Sequence, residues 1–230
     1  RQFHARYLLE QLTLAAQVSE HSSEIATLSA DELTGFELMD GEFLLTFDDG
    51  PTVLGGATWR TTRMLATAGQ NAVFFVLGDP LAQRLQGSAE SLAREYGDNC
   101  VASHGMRHEP YPELANWRDS LREARHLLNA IPDVTRLSWF RPPGGQRTAE
   151  MSGQVFERIV LWNIDSQDLN PSLSSQQLAD RLMTLMLLWR KGIILLHDTQ
   201  PKAANALPGL FRAVQTSPVR WVDCRSFADR

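Results

Sequence analysis

The feature that most restricts the fold is an alternation between short, near-continuous apolar runs and stretches with helical spacing. The runs occupy residues 43–47, 72–77, 101–103, 138–140, 159–164, 193–196 and 219–222. Helix candidates lie between them at residues 58–68, 81–96, 116–130, 175–189 and 207–216. Runs that are apolar throughout, rather than at every second position, suit strands buried on both faces, which means a parallel sheet covered by helices. The pattern predicts an α/β fold, a (β/α) barrel or a doubly wound sheet. No linker, repeat or low-complexity block divides it, so we expect one main domain over residues 41–230. Ahead of it, Leu8, Leu9, Leu12, Ala15, Ala16, Val18 and Ile25 recur at helical spacing. Residues 1–40 are therefore assigned to a helical N-terminal extension.

Composition sets what such a domain can do. With 43% hydrophobic and 21% charged residues, the 230-residue chain can bury a sizeable core. Its net charge of −5 and the lack of a Lys/Arg run, or of a basic stripe with interleaved aromatics, argue against a nucleic-acid partner. The apolar stretch at residues 185–189 is cut by Arg190 and Lys191, far short of the roughly 20 residues that span a bilayer, so no membrane span is expected. The chain opens at Arg1 without Met, which predicts an upstream segment with room for a secretory signal. Cys100 and Cys224 both sit in strand-like apolar contexts, and two buried free thiols are expected from the low cysteine density.

In parallel α/β folds the site lies beyond the carboxyl ends of the strands. Asp48 and Asp49 follow the first run and His104 the third. Arg141 follows the fourth, Asp165 and Asp168 the fifth, and His197 and Asp198 the sixth. Five such placements point to a site. His104 and His108, four residues apart, can converge on a helical turn or a tight loop, and two imidazoles with a carboxylate make a zinc-type ligand set. Two satisfied histidines, or the two-His-one-carboxylate triad of non-haem iron, are the alternatives. The interior of this His-x-x-x-His lacks Glu, which excludes a zincin. Of the consecutive acids, Asp49 suits a metal ligand and Asp48 a general base toward activated water. Arg141, before the rigid Pro142–Pro143, would keep Asp48 charged and oriented. The glycines after Pro143 leave amides free to approach an anionic oxygen. His197 suits a general acid, with Asp168 as its partner.

These residues occur as Thr46-Phe47-Asp48-Asp49-Gly50-Pro51, His104-x-x-x-His108, Arg141-Pro142-Pro143-Gly144, Asp165-Ser166-Gln167-Asp168 and Leu195-Leu196-His197-Asp198. In that order they resemble the five motifs of the polysaccharide deacetylases (NodB homology domain, carbohydrate esterase family 4), over roughly residues 43–227. The resemblance implies a distorted (β/α) barrel of mostly parallel strands. It also implies one divalent metal ion, Zn²⁺ first with Co²⁺ or Ni²⁺ as substitutes, and hydrolysis of acetyl groups on a polysaccharide. By matching position, Asp48 would be the base, with Asp49, His104 and His108 the ligands. Arg141 would tune Asp48, Asp168 would orient His197, and His197 would be the acid. Gly144 would stabilise the oxyanion, with Pro143, Leu195 and Leu169 around the acetyl group.

Three positions depart from the family pattern. Gly105 replaces the usual Ser or Thr, Glu109 separates His108 from Pro110, and Leu169 stands where Trp is usual. They bear on substrate preference rather than on a ligand, acid or base. The leading expectation is N-deacetylation of an N-acetylglucosamine polymer: peptidoglycan, chitin-type or exopolysaccharide. An O-acetyl xylan esterase, a small-amide hydrolase and a non-catalytic carbohydrate-binding module are the competing readings. Such substrates imply a secreted, periplasmic or cell-envelope address. Tyr111, just past the second His, is a candidate for the sugar groove, whereas tryptophans next to strands are expected in the core.

Overall fold

Strand β1 (Glu42–Asp48) is apolar on both sides because both sides are covered. Phe43, Leu45 and Phe47 join the cluster beneath the helices, while Leu44 belongs to a second cluster with Val73, Phe75 and Ala102 inside the sheet's curl. The computed structural model describes residues 32–227. The helix expected at residues 7–28 lies outside the described residues.

Around β1 the chain adds β2 (Val73–Val76), β3 (Cys100–Ser103), β4 (Thr135–Phe140), β5 (Arg158–Ile159), β6 (Ile164–Asp165), β7 (Gly192–His197) and β8 (Arg220–Trp221). Seven follow the order β5-β4-β3-β2-β1-β7-β6, with β8 pairing the start of β1, and every pairing is parallel. The helices are α1 (Ala57–Thr67), α2 (Gly78–Leu85), α3 (Ala89–Tyr96), α4 (Trp117–Asn129), α5 (Ala149–Gln154), α6 (Ser175–Trp189) and α7 (Lys202–Val214). The parallel sheet curls into a half-barrel, the expected distorted (β/α) barrel.

Four local expectations change. The helix foreseen over 81–96 is two helices, broken at Gly87 and restarted by Ser88, whose hydroxyl accepts from the Ser91 amide. α7 begins five residues earlier than expected and carries Pro208 inside it. The run at 159–164 is not one strand but two short ones at opposite ends of the sheet order, β5 against β4 and β6 against β7. Between them the Leu33 backbone pairs with Ile159 and Leu161. Residues 32–40, assigned above to the extension, thus belong to the body of the domain: Leu33 and Leu38 are buried in the interior cluster, and the Gly35 α-carbon packs against Asn163 and Ile193.

The expectation of two free thiols is overturned. Cys100, at the start of β3, is disulfide-bonded to Cys224, with Cα atoms 6.0 Å apart, inside the range a disulfide spans. An apolar setting suits a half-cystine as well as a thiol, so the local context did not discriminate.

Candidate metal and catalytic site

Consecutive strand residues point to opposite faces, so Asp48 and Asp49 should diverge. They do not, because Asp49 leaves the strand in the left-handed region (φ 79°), which Asp tolerates better than most residues. Asp48 Oδ2 lies 3.8 Å and Asp49 Oδ1 3.3 Å from the same atom, Nε2 of His104. The next residue has to be glycine: a Cβ on Gly50 would sit 2.2 Å from an oxygen of buried Asp198.

Asp48 is buried and held by Arg141, whose Nη1 donates to Asp48 Oδ1 at 2.7 Å and to Thr46 Oγ1 at 2.8 Å. The rest of the guanidinium is equally committed. Nε donates to the Val160 carbonyl and Nη2 to that of Leu161, and the Phe75 ring lies 4.0 Å beneath the guanidinium carbon. Those two carbonyls belong to the segment between β5 and β6, where the ladder is interrupted. Arg141 therefore bonds the seam of the barrel and the carboxylate together.

Around Asp49 the bonding is of another kind. His104 Nδ1 donates to the Arg141 carbonyl at 2.7 Å, which leaves Nε2 as the free ring nitrogen, facing Asp49 Oδ1. Both atoms are buried, and neither has a hydrogen-bond partner among the described residues. His108, on the loop rather than on a helical turn, brings Nε2 to 4.0 Å from the same oxygen, with its side chain half exposed. One ligand atom from each of Asp49, His104 and His108 fits within 4.8 Å of the others. Buried acceptors aimed at one point without a donor suit a divalent cation, and this donor set matches a site with positions open to water and substrate. Burial pushes the Asp49 carboxyl upward, but the imidazoles gathered around it, His104 first with His197 and His108 behind it, outweigh that and hold it at about 2.

The loop carrying the histidines is pinned from below, since the Gly78 and Asp79 amides opening α2 donate to the Gly105 and Met106 carbonyls. Gly105 has φ 84°, and a Cβ there would collide with the Tyr111 hydroxyl at 2.0 Å. Tyr111 is fully buried and bonded to Ser120, so its ring fills the space behind the loop instead of lining a sugar groove. The Gly105 departure follows from that packing.

Across the opening, His197 ends β7 on the same strand face as Leu195, whose partner on β1 is Thr46. Asp168 grips it twice: Oδ2 accepts from the His197 amide and Oδ1 faces Nδ1, both at 2.8 Å. Burial lowers the His197 pKa. The hydrogen bond and charge of Asp168, with Asp48 and Asp49 in support, overcome this and raise it to about 9. Pro142 and Pro143 carry no N–H, and the Gly145 and Gln146 amides go to their carbonyls. Gly144, at φ 61°, holds the donor left in that turn. Leu195 is nearly buried, whereas Leu169 is 43% exposed at the rim. Of the tryptophans, Trp117 and Trp139 are buried and Trp59 and Trp189 are exposed. Asp198 lies one residue past the end of β7. It is fully buried, with its amide on the Asp48 carbonyl, and burial pushes its carboxyl up to about 7.

The family model described as polysaccharide deacetylase matches residues 38–157. This chain belongs to the polysaccharide deacetylase family. It is 30% identical over 169 residues to peptidoglycan-N-acetylmuramic acid deacetylase PdaC of Bacillus subtilis (strain 168), over 70% of this chain and 33% of that protein. The chain thus spans about a third of the length of this curated relative. The solved structure of PdaC from Bacillus subtilis superposes with a TM-score of 0.68 at 23% identity, covering 83% of this chain and 91% of that one. A carbohydrate esterase family 4 pseudoenzyme from Bacillus anthracis gives 0.72 at 18% identity, covering 88% and 70%. Those two likenesses establish the fold. Among the described residues no helix is long and apolar enough to cross a membrane.

Proposed function

We propose that the chain is a metal-dependent hydrolase that removes N-acetyl groups from an N-acetylglucosamine-containing cell-wall polysaccharide, with peptidoglycan the first candidate. The observation that carries this is the meeting of two environments at one imidazole nitrogen. His104 Nε2 lies 3.3 Å from the unpartnered Asp49 and 3.8 Å from the Arg141-bound Asp48. A divalent ion held by Asp49, His104 and His108, zinc first and cobalt or nickel as substitutes, would supply Lewis-acid activation of water and of the acetyl carbonyl.

The remaining work falls to side chains of this protein. Asp48 accepts the proton of the attacking water, its other oxygen fixed by Arg141. The Gly144 amide donates to the carbonyl oxygen as negative charge develops on it. His197, protonated through neutral pH by its contacts with Asp168, gives a proton to the departing amine nitrogen. Asp168 fixes the orientation of that ring through both of its oxygens. Leu195 and Leu169, with Pro143, offer an apolar wall to the acetyl methyl. The pseudoenzyme among the structural neighbours means that fold alone does not carry activity. The presence here of ligands, base and acid together favours an enzyme over a binding module. An address outside the cytoplasm is supported by the Cys100–Cys224 disulfide and by the cell-wall relative.

The decisive test is acetate release from peptidoglycan fragments, chito-oligomers, acetylated xylan and small amides, each with zinc, cobalt or chelator added. The expected result is metal-dependent release from the N-acetylated glycans. Release that survives complete demetallation, or that occurs only from xylan or small amides, would overturn this reading.

A further inference from the structure

Outside the sheet, between α1 and the carboxyl-terminal half of α7, runs a groove of about 740 Å³. It reaches Val219 and Trp221, beside the amino-terminal end of β1, where Trp221 pairs with Phe43. It is therefore separate from the Asp49–His104–His108 cluster, which lies beyond the other end of that strand. Its size is that of a small-ligand site.

The lining is unusual for this chain. Arg60, Arg63 and Arg212 contribute three guanidinium groups, and among the described residues no Asp or Glu lines the groove, although acids outnumber bases 27 to 22 in the sequence. None of the three makes a side-chain hydrogen bond or ion pair among the described residues. Other surface arginines here do find carboxylates, as Arg190 does with Asp40 and Arg225 with Asp223. Three aromatic rings accompany the charges. Trp59 is 42% exposed with Arg63 over its ring at 5.7 Å, and Phe211 meets Trp221 edge-on at 5.2 Å. No basic stripe with interleaved aromatics is visible along the sequence, because Trp59-Arg60 and Phe211-Arg212 lie far apart in it; the packing of α1 beside α7 assembles one.

Planar guanidinium forks left without counter-charge match carboxylates, and the exposed Trp59 face, with the partly buried Phe211 and Trp221 beside it, provides an apolar platform for a flat ligand. We propose that this groove is a second carbohydrate-binding site, which holds a glycan strand bearing carboxylate groups, with rings packed on the aromatics and acid groups on the arginines. The choice of a glycan over another anion rests on the deacetylase reading above. Bound there, a strand is retained on the enzyme while other stretches of it visit the catalytic opening, which raises its effective concentration.

Isothermal titration calorimetry of the full chain with a short oligogalacturonate tests the proposal, alongside neutral chito-oligomers and a single-stranded oligothymidylate as competing occupants. Binding of the oligogalacturonate is expected, weakening several-fold between about 50 and about 300 mM NaCl as screening increases. The combined variant Arg60→Gln/Arg63→Gln/Arg212→Gln should lose affinity by about tenfold or more, and Trp59→Ala should lose part of it. Acetate release from short chito-oligomers should be the same in these variants as in the parent, so loss of groove binding and failure of the catalytic reading are separately visible. The proposal is overturned by absence of binding, by equal binding to the triple variant, or by equal or tighter binding of the neutral oligomer or the oligothymidylate.

Discussion

Two neighbouring regions of the site treat charge in opposite ways. In the Arg141–Asp48 pair each guanidinium nitrogen donates to a carboxylate, a hydroxyl or a backbone carbonyl, and the whole assembly is buried. In the Asp49–His104–His108 cluster, one residue further along the chain, buried acceptor atoms face each other with no donor between them among the described residues. The first is closed by the protein, as is the buried Arg147–Glu32 pair elsewhere in the fold. The second is closed only when something positive arrives. A chain leaves buried polar atoms unpartnered at a cost, so their convergence at one point marks where it expects a ligand.

Breaking the closed half should have the largest effect. Arg141→Leu strands the Asp48 carboxylate in a buried site and cuts the links to Thr46, Val160 and Leu161. A loss of about 3–5 kcal/mol is expected, which lowers the melting temperature by roughly 6–20 °C for a domain of this size. Adding Asp48→Asn to it should recover part of the loss; strictly additive effects would show that the pair is not coupled. Asp48→Asn alone should reduce acetate release by about 10²–10⁴ while metal content, measured by mass spectrometry, stays at the parent level. His108→Ala should do the reverse for the metal: occupancy and activity fall together. Its melting temperature without metal should stay near the parent's, because the side chain is half exposed and makes no hydrogen bond among the described residues. If Asp48→Asn also sheds the metal, the two regions are one unit and the distinction fails.

The contrast was partly legible in the sequence. Ends of apolar runs located Asp48, Asp49, His104, Arg141, Asp168 and His197, because a parallel sheet delivers the carboxyl ends of its strands to one side. The left-handed turn at Asp49 was not visible, since Asp tolerates but does not demand it. Nor was the seam: apolar residues at 159–164 read alike whether they form one strand or cross from β5 to β6. Tyr111 looked like a groove residue from its place after His108, and only the empty α-carbon of Gly105 explains why its ring turns inward. Leu33 was grouped with the segment before it because a single buried leucine carries no periodicity.

Far from the site, the disulfide should separate stability from chemistry. It links residues 124 positions apart at the start of β3 and after β8. Cys100→Ser/Cys224→Ser, or reduction, should cost about 2–5 kcal/mol in urea unfolding. Acetate release at a temperature where the variant is folded should remain at the parent level. A variant that folds fully yet loses turnover would tie the two ends of the barrel together.

The smallest and most specific effect concerns His197. Its pKa stands at about 9 against an ordinary 6.5, so it is raised, and the imidazolium is present through neutral pH. Acetate release limited by this proton should hold to about pH 9 and fall above it. Asp168→Asn removes the hydrogen-bonded charge responsible for most of the rise, and an opposite charge at this range is worth about 1–3 pKa units. The alkaline limb of the rate profile should move down accordingly, with little change on the acid side. The same pair stabilises the fold fully below pH 6.5, and its contribution disappears as pH rises through about 9. The difference in urea midpoint between parent and variant should therefore shrink over that window. An alkaline limb unmoved by the substitution would leave His197 without the role of acid, because Asp168 supplies the largest part of the shift.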